Sequence, residues 1–214
     1  MSSYPYLVAQ LPYLLYGQAA PMSSLHYKEL ARTLISDSDA EILELCTLDP
    51  EPPAAGITGA TYAEPAPRTP SDFLNRWRDW ERVLRLNLAR GRSQKLKREG
   101  GAVADAPEYP ANAATVAKNA QTMESPLDAE LFLDKARWDA IEYFQGISSF
   151  GENVIYAYLL KLLLLERRAA FKTEEGYTKY KGLYTAILER ASGADGFGFA
   201  PGLGSETTVP GEHK

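Results

Sequence analysis

Residues 150–171 read "FGENVIYAYLLKLLLLERRAAF", and this is the most apolar helical pattern in the chain. Within it, residues 154–165 span twelve positions and carry a single charge, on Lys161. A membrane-spanning helix needs about 20 apolar residues, so this length favours a helix buried in a protein core. A helix that is apolar on every side is enclosed by its neighbours. We therefore predict that this segment is the central helix of an all-α fold.

Further helical patterns lie on either side of the central segment. Each combines apolar residues spaced three to four positions apart with a capping residue or a favourable charge near its start. These patterns cover residues 22–35, 36–48, 69–99, 125–145 and 173–192. Ser71 is predicted to cap the long pattern, while Ser125, Pro126 and Gly146 are predicted to start and stop the pattern before the central helix.

The long pattern has the broadest apolar stripe, which predicts that one face of this helix lies in the core. Its members are Phe73, Leu74, Trp77, Trp80, Val83, Leu84, Leu86 and Leu88. The smaller stripes are predicted to consist of Leu25, Leu30, Leu34, Ile35, Ile42, Leu43, Leu45, Cys46 and Leu48. The two tryptophans are accordingly predicted as core residues rather than as platforms for nucleic-acid bases.

Stretches rich in proline and glycine divide the chain between these patterns. Residues 49–70 contain six prolines, residues 100–112 have no apolar period, and both are predicted to be loops. We predict one helical domain over residues 1–196 and a flexible tail over residues 197–214. Two helical units, 1–112 and 113–196, are the alternative division.

The first residues form a second apolar stretch, "YLVAQLPYLLYG" at positions 6–17. Its length and two prolines argue against a membrane helix, and no basic leader marks it as a signal peptide. We predict that residues 4–16 are extended or irregular and pack against the helix over 150–171. Its apolar side chains are predicted as core in preference to a contact edge.

The residues needed for common catalytic or metal sites do not occur in the right patterns. His26 and His213 are the two histidines and Cys46 is the one cysteine, so no zinc ligand set is predicted. The glycines of "GADGFGFAPGLG" lack the Lys and Ser or Thr of a phosphate-binding loop. We predict a protein that is not an enzyme and holds no cofactor or metal.

The strongest signal outside the predicted core is a basic segment. Between positions 76 and 98, nine Lys or Arg residues stand against Asp79 and Glu81, giving this window a charge of +7. The remainder of the chain then carries −12 of the total of −5. Such asymmetry indicates an acidic partner surface, either within the chain or on another molecule, and a solvated helix face is the alternative. The overall pI of 5.2 makes nucleic-acid binding a less favoured interpretation.

Four stretches of the chain resemble one bacterial family over about residues 4–190. They are "YPYLVAQLPYLLYG" with the following "PMSS", "RVLRLNLARGRSQKL", "SPLDAELFLDKARWDAIE" and "AYLLKLLLLERRAAFKTEEGYTKY". The family is an uncharacterised one encoded in V-type (A/V-type) ATPase operons. Two of the stretches are also similar to helices of the C/d family of V-type ATPase subunits, whose members form a helical funnel that seats the central shaft on the membrane ring. This chain is much shorter than the members of that family.

The resemblance implies a non-catalytic ATPase subunit that couples the central shaft to the membrane rotor ring. Its implied location is cytoplasmic, peripheral to the inner membrane through the ATPase complex, with no small-molecule substrate. A transient assembly or regulatory factor of the same ATPase is the first alternative, and a helical nucleic-acid-binding protein is the second.

The predicted partner-binding residues are the basic end of the long helix and the charged triplet after the central apolar run. They are Arg90, Arg92, Lys95, Lys97, Arg98, Glu166, Arg167 and Arg168. Within the triplet, Glu166 is expected to form a partly buried ion pair with Arg167 or Arg168.

Overall fold

The computed structural model describes residues 3–48, 67–95 and 111–172 and the single residue 182. Over these ranges it contains helices and no strand, apart from an isolated bridge between Ser3 and Gly151. The helices are α1 (Pro5–Gln10), α2 (Ser24–Arg32), α3 (Asp37–Glu44), α4 (Asp72–Lys95), α5 (Ala111–Thr122), α6 (Pro126–Gln145) and α7 (Glu152–Lys172). The predicted all-α fold is thus confirmed.

The described residues up to Lys172 belong to one compact unit. The helix predicted over 173–192, the tail over 197–214 and the domain boundary at 196 lie outside the described residues, as does most of the two predicted loops.

The position of α7 at the centre of this unit agrees with the prediction. It contacts α2, α3 and α6, and every residue from 155 to 160 is buried. The long helix α4 packs against α5 and α6, so α6 joins the two groups of helices. One continuous hydrophobic core therefore extends through all the described helices.

The sequence pattern of α4 predicts its buried face correctly. All eight residues of the predicted stripe are buried, and Trp77 stacks on Trp80 with a centroid distance of 5.8 Å. Ser71 Oγ accepts a hydrogen bond from Leu74 N at 3.2 Å, which is the predicted cap. Burial of each large side chain stabilises the fold by about 1.5–3 kcal/mol, so this stripe commits α4 to the core.

The N-terminal segment packs against α7, as predicted, but its first part is helical. Pro5 lies in the first turn of α1, where its missing N–H and fixed φ favour a helix, and Leu11 before Pro12 is extended. The two prolines therefore bracket a short helix, and the expectation of extended or irregular backbone holds for Tyr4 and for residues 11–16. Tyr158 donates a hydrogen bond to the Pro12 carbonyl at 2.9 Å.

Part of the predicted core of the N-terminal segment is exposed. Leu7 and Leu14 are buried, and Tyr4 and Leu11 pack partly against the core. The side chains of Tyr6 and Tyr13 project into solvent.

The stripes of α2 and α3 were predicted less well than that of α4. Tyr27 and Ala31 are the buried residues of α2, whereas Leu25 and, after α3, Leu45 are exposed. For α2 the reason is a contact between helices: Tyr27 Oη donates a hydrogen bond to the Ile155 carbonyl at 2.9 Å, so this face of α2 turns toward α7.

Helix α5 was not predicted, because its buried residues are small. Ala113, Ala117 and Ala120 are its buried positions, and they carry little apolar surface. Small side chains allow a close approach to α4, where Gln121 Nε2 donates to the Asn87 carbonyl at 3.1 Å. The approach is close enough that a Cβ on Gly91 would overlap the Gln121 amide.

Candidate partner-binding surfaces

Two arginines near the C-terminal end of α4 are exposed to solvent. Arg90 and Arg92 are both exposed, and no hydrogen bond or ion pair of either is present among the described residues. Lys95 is the last residue of α4, although its side chain is not described. Lys97 and Arg98 lie outside the described residues. Of the five predicted residues in this group, the structure therefore places two on an accessible surface.

The arginines in the first part of α4 have partners within the protein. Arg76 pairs with Asp72 at 2.7 Å, and Arg78 Nη2 donates to the Leu45 carbonyl at 3.3 Å. Arg85 donates both to Glu81 at 2.7 Å and to the Leu48 carbonyl at 2.8 Å. The bonds to the two carbonyls join α4 to the residues that follow α3, and the ion pairs lie within α4. The basic window is therefore less available to a partner than its charge of +7 suggests.

All three residues of the charged triplet of α7 contact other parts of the protein. Glu166 does not pair with its neighbours as expected, but accepts hydrogen bonds from Ser24 N at 2.6 Å and Ser24 Oγ at 2.7 Å. It thereby binds the N-terminus of α2, where a negative charge is favourable. Arg167 pairs with Glu130 at 2.9 Å. The Arg168 guanidinium lies 4.8 Å from the centroid of the Tyr16 ring, in cation–π contact.

A buried ion network lies behind these surfaces. Glu81 on α4 and Arg137 on α6 are 5% and 4% exposed, and Arg137 donates to both carboxylate oxygens of Glu81 at 3.1 Å. Arg137 Nη1 also donates to Asp134 Oδ1 at 3.1 Å. Arg167 Nε lies 3.9 Å from the same oxygen. Alternating charges therefore connect α4, α6 and α7 through the core.

Burial and pairing act in opposite directions on the pKa values in this network. Burial by itself would lower the pKa of Arg137, but the charge and hydrogen bonds of Glu81 outweigh it and raise that pKa. Burial raises the pKa of Asp134, although Arg167 and Arg137 pull it down. Asp134 Oδ2 is buried and has no hydrogen-bond partner among the described residues, which agrees with the dominance of burial.

Arg137 and Asp134 were not predicted as a charged pair, and Glu81 was treated only as a counter-charge in the basic window. A local signal was present, because Asp134 and Arg137 lie between the apolar residues Leu133 and Trp138 at a spacing that puts both on the core side of α6. Charges at core positions in a helix require partners, so this pattern indicates a buried pair. The identity of the partner on α4 is not visible in the pattern.

His26 and Cys46 were considered above as possible metal ligands, and the structure describes the position of both. His26 is exposed on α2, and Cys46 is buried, which raises the pKa of its thiol to about 12. No group of three or more metal-ligating side chains occurs in the part of the chain that the structure describes. None of the described helices is long and apolar enough to cross a membrane.

Comparison with known proteins adds no relative. No family model matches the chain, and no match was found among the curated proteins or the solved structures.

Proposed function

We propose that this chain is a non-catalytic subunit of a bacterial V-type ATPase. In this role it couples the central shaft to the membrane rotor ring, as a shorter counterpart of the C/d family. It is then cytoplasmic and peripheral to the inner membrane through the complex. Its partners are the shaft and ring proteins, and it acts by binding them without a substrate or cofactor of its own.

One observation carries the proposal: the four stretches that resemble the ATPase-operon family all contribute residues to one core. The N-terminal stretch bonds to α7 through Tyr158 and to α6 through Tyr16, whose Oη donates to the Leu131 carbonyl at 2.9 Å. The stretch in α4 buries Leu84 in the same core as Trp138 of the stretch in α6. The resemblance therefore extends over segments that pack together, which is what the proposal requires of a fold shared with that family.

The contacts that the predicted partner-binding residues make within the protein indicate which of them a partner could reach. Glu166, Arg167 and Arg168 already have partners on α2, α6 and the N-terminal segment, so they support the scaffold. Arg90 and Arg92 are exposed and suit an acidic partner surface. In the proposal, these two arginines make the electrostatic contact.

The alternatives differ from the proposal in stoichiometry and in ligand. An assembly or regulatory factor of the same ATPase would bind transiently and would be recovered below one copy per complex. A nucleic-acid-binding protein would need a dense set of free cations for phosphate contacts. The engagement of Arg76, Arg78 and Arg85 within the protein makes that alternative less well supported.

The test is an affinity pull-down of the tagged full chain from its native cells in mild detergent, with quantitative mass spectrometry. Recovery of catalytic and ring subunits at one copy of this chain per complex is the expected result. Variable recovery below one copy would favour the assembly factor. Complete absence of ATPase subunits would overturn the proposal, and RNA or ribosomal proteins in their place would favour the nucleic-acid alternative.

Two arginine variants test the proposed surface in the same experiment. Arg90→Ala with Arg92→Ala should lower ATPase recovery several-fold and leave the melting temperature unchanged. Arg76→Ala is the matched control, since Arg76 is an exposed arginine in the first part of the same helix. If the double variant and Arg76→Ala lost the same fraction of ATPase recovery, Arg90 and Arg92 would not be the specific electrostatic contact.

A further inference from the structure

The carboxylate of Asp134 on α6 is unevenly paired inside the protein. Its side chain is 1% exposed, and Oδ1 accepts a hydrogen bond from Arg137 Nη1 at 3.1 Å. The other oxygen, Oδ2, is buried and has no hydrogen-bond partner in the described part of the chain. Because an ionised carboxylate is costly to bury unless its oxygens are hydrogen-bonded, the charged form of Asp134 is only half satisfied here.

The two arginines nearest to Asp134 each bind another carboxylate. Arg137 donates through Nε and Nη2 to both oxygens of Glu81 at 3.1 Å. Arg167 Nη2 pairs with Glu130 at 2.9 Å, whereas its Nε lies 3.9 Å from Asp134 Oδ1, beyond hydrogen-bond distance. Neither arginine would therefore lose its last carboxylate if Asp134 became neutral.

A proton on Oδ2 would remove the charge of Asp134 and leave the bond from Arg137 to Oδ1 in place. Burial raises the pKa of Asp134 more than Arg167 and Arg137 lower it, so the packed protein favours the neutral form. Separation of α6 from α7 would expose the carboxyl to water and return it to ordinary acidity. By linkage, proton uptake then favours the packed arrangement, and proton loss favours separation.

Asp134 faces a turn of α7 that holds three other parts of the protein. Arg167 in this turn binds α6, Glu166 binds the N-terminus of α2, and Arg168 lies over the Tyr16 ring. A change in the packing of this turn would therefore reach α2 and the N-terminal segment. The charged and titratable groups around Asp134 and its partners are Glu130, Lys135 and Arg137 on α6, Arg167 and Arg168 on α7, Glu81 on α4, and Tyr16.

We propose that Asp134 is a proton-sensitive joint between α6 and α7. Uptake of a proton by its carboxylate tightens the packing of the two helices, and loss of the proton loosens the turn of α7 that carries Arg167. This device does not depend on the identity of a partner, so it stands or fails separately from the ATPase role.

Asp134→Asn tests the joint, because asparagine imitates the neutral acid at nearly the same shape. At pH 8 its unfolding equilibrium constant in the full chain should be several-fold lower than that of the wild type. The difference should shrink toward about pH 4, where aspartate in the unfolded chain is also protonated. A purely structural ion pair predicts the opposite sign at pH 8, since its removal would destabilise the protein.

Asp139→Asn is the matched control on the same helix. Asp139 is exposed and pairs with Lys135. Its substitution should change the unfolding constant by less than about twofold at every pH, because exposed ion pairs contribute little. A pH-dependent gain in Asp139→Asn equal to that in Asp134→Asn would overturn the assignment to Asp134.

Two measurements on the wild-type chain read the proton and the joint separately. The carboxyl carbon of Asp134, followed by NMR, should titrate with a midpoint above about 3.9, the ordinary value for aspartate. Amide protection at residues 165–170, corrected for intrinsic exchange, should fall several-fold as the pH rises through that midpoint and should stay constant in Asp134→Asn. A midpoint at or below the ordinary value, equal protection on both sides of it, or an Asp134→Asn protein that is destabilised at pH 8 or fails to fold would overturn the proposal.

Discussion

At the residue scale, the most consequential side chain is Glu81, because it holds two arginines at a buried position. It accepts hydrogen bonds from Arg85 on the same helix and from Arg137 on α6. A buried ion pair adds little net stability relative to apolar residues, but removal of one partner leaves the other charge desolvated. The network therefore favours one specific alignment of α4 against α6.

Glu81→Gln should lower the free energy of unfolding by about 3 kcal/mol, because Arg137 would lose its main counter-charge in the core. Urea denaturation followed by tryptophan fluorescence measures this difference. Asp72→Asn is the matched control on the same helix, since Asp72 and Arg76 form an exposed pair whose loss should cost under about 1 kcal/mol. Similar small effects for both variants would contradict a structural role for the buried network.

Glu166 shows how a residue's sequence neighbours can mislead. Arg167 and Arg168 are adjacent in the chain, yet consecutive residues on a helix point in different directions. The partner of Glu166 is Ser24, 142 positions away, and the contact satisfies the N-terminus of α2. A partner that bound Glu166 would therefore have to compete with this contact inside the protein.

At the element scale, the contact between α4 and α5 depends on small residues. A Cβ on Gly91 would lie 1.9 Å from Oε1 of Gln121, so the amide of Gln121 would have to move. Its hydrogen bond to the Asn87 carbonyl would then be lost or weakened. Glycine within a helix is otherwise less favourable than alanine by about 1 kcal/mol.

Gly91→Ala should change the free energy of unfolding by less than about 1 kcal/mol, because the gain in helix propensity is offset by the displaced amide. In a Gln121→Ala background the same substitution should stabilise the protein by up to about 1 kcal/mol. Chemical denaturation of the two single variants and the double variant measures the coupling. An effect of Gly91→Ala that is the same in both backgrounds would show that Gln121 is not the obstacle.

At the scale of the whole molecule, the described helices share one core. Cys46 after α3, Trp77 and Trp80 on α4 and Trp138 on α6 all belong to it. Trp77 Nε1 donates to the Thr47 carbonyl at 3.4 Å, which links α4 to the segment that carries Cys46. A core of this continuity predicts that these elements unfold together.

Thiol labelling of Cys46 should therefore give the same free energy of opening as tryptophan fluorescence gives for unfolding, within about 1 kcal/mol. Cys46 is the single cysteine and is buried with a pKa of about 12, so the native thiol should not react. Labelling rates of the full chain across a denaturant series make the measurement, with the fully unfolded chain as the reference. Rapid labelling under native conditions would mean that α3 opens independently of α4 and α6.

The local signals of the sequence were sufficient for the boundaries of α6, the buried stripe of α4 and the central place of α7. Caps, stop signals and apolar periods act over three or four residues, and that range is readable in one sequence. The helix α1 shows the limit, since Pro5 and Pro12 suggested extended backbone, whereas Pro5 in fact starts a helix.

The helical class, the principal core residues and the presence of a basic segment can be read from the amino-acid sequence, because spacing and composition encode them. Which charges remain available to a partner depends on how the helices pack against one another. Arg85, Arg137 and Glu166 find their partners through helix crossings that no local period specifies. Helix α5 likewise depends on a neighbour, because its buried alanines contribute little apolar surface of their own. Spacing determines which face of a helix is apolar, and packing determines what each polar group on that face meets.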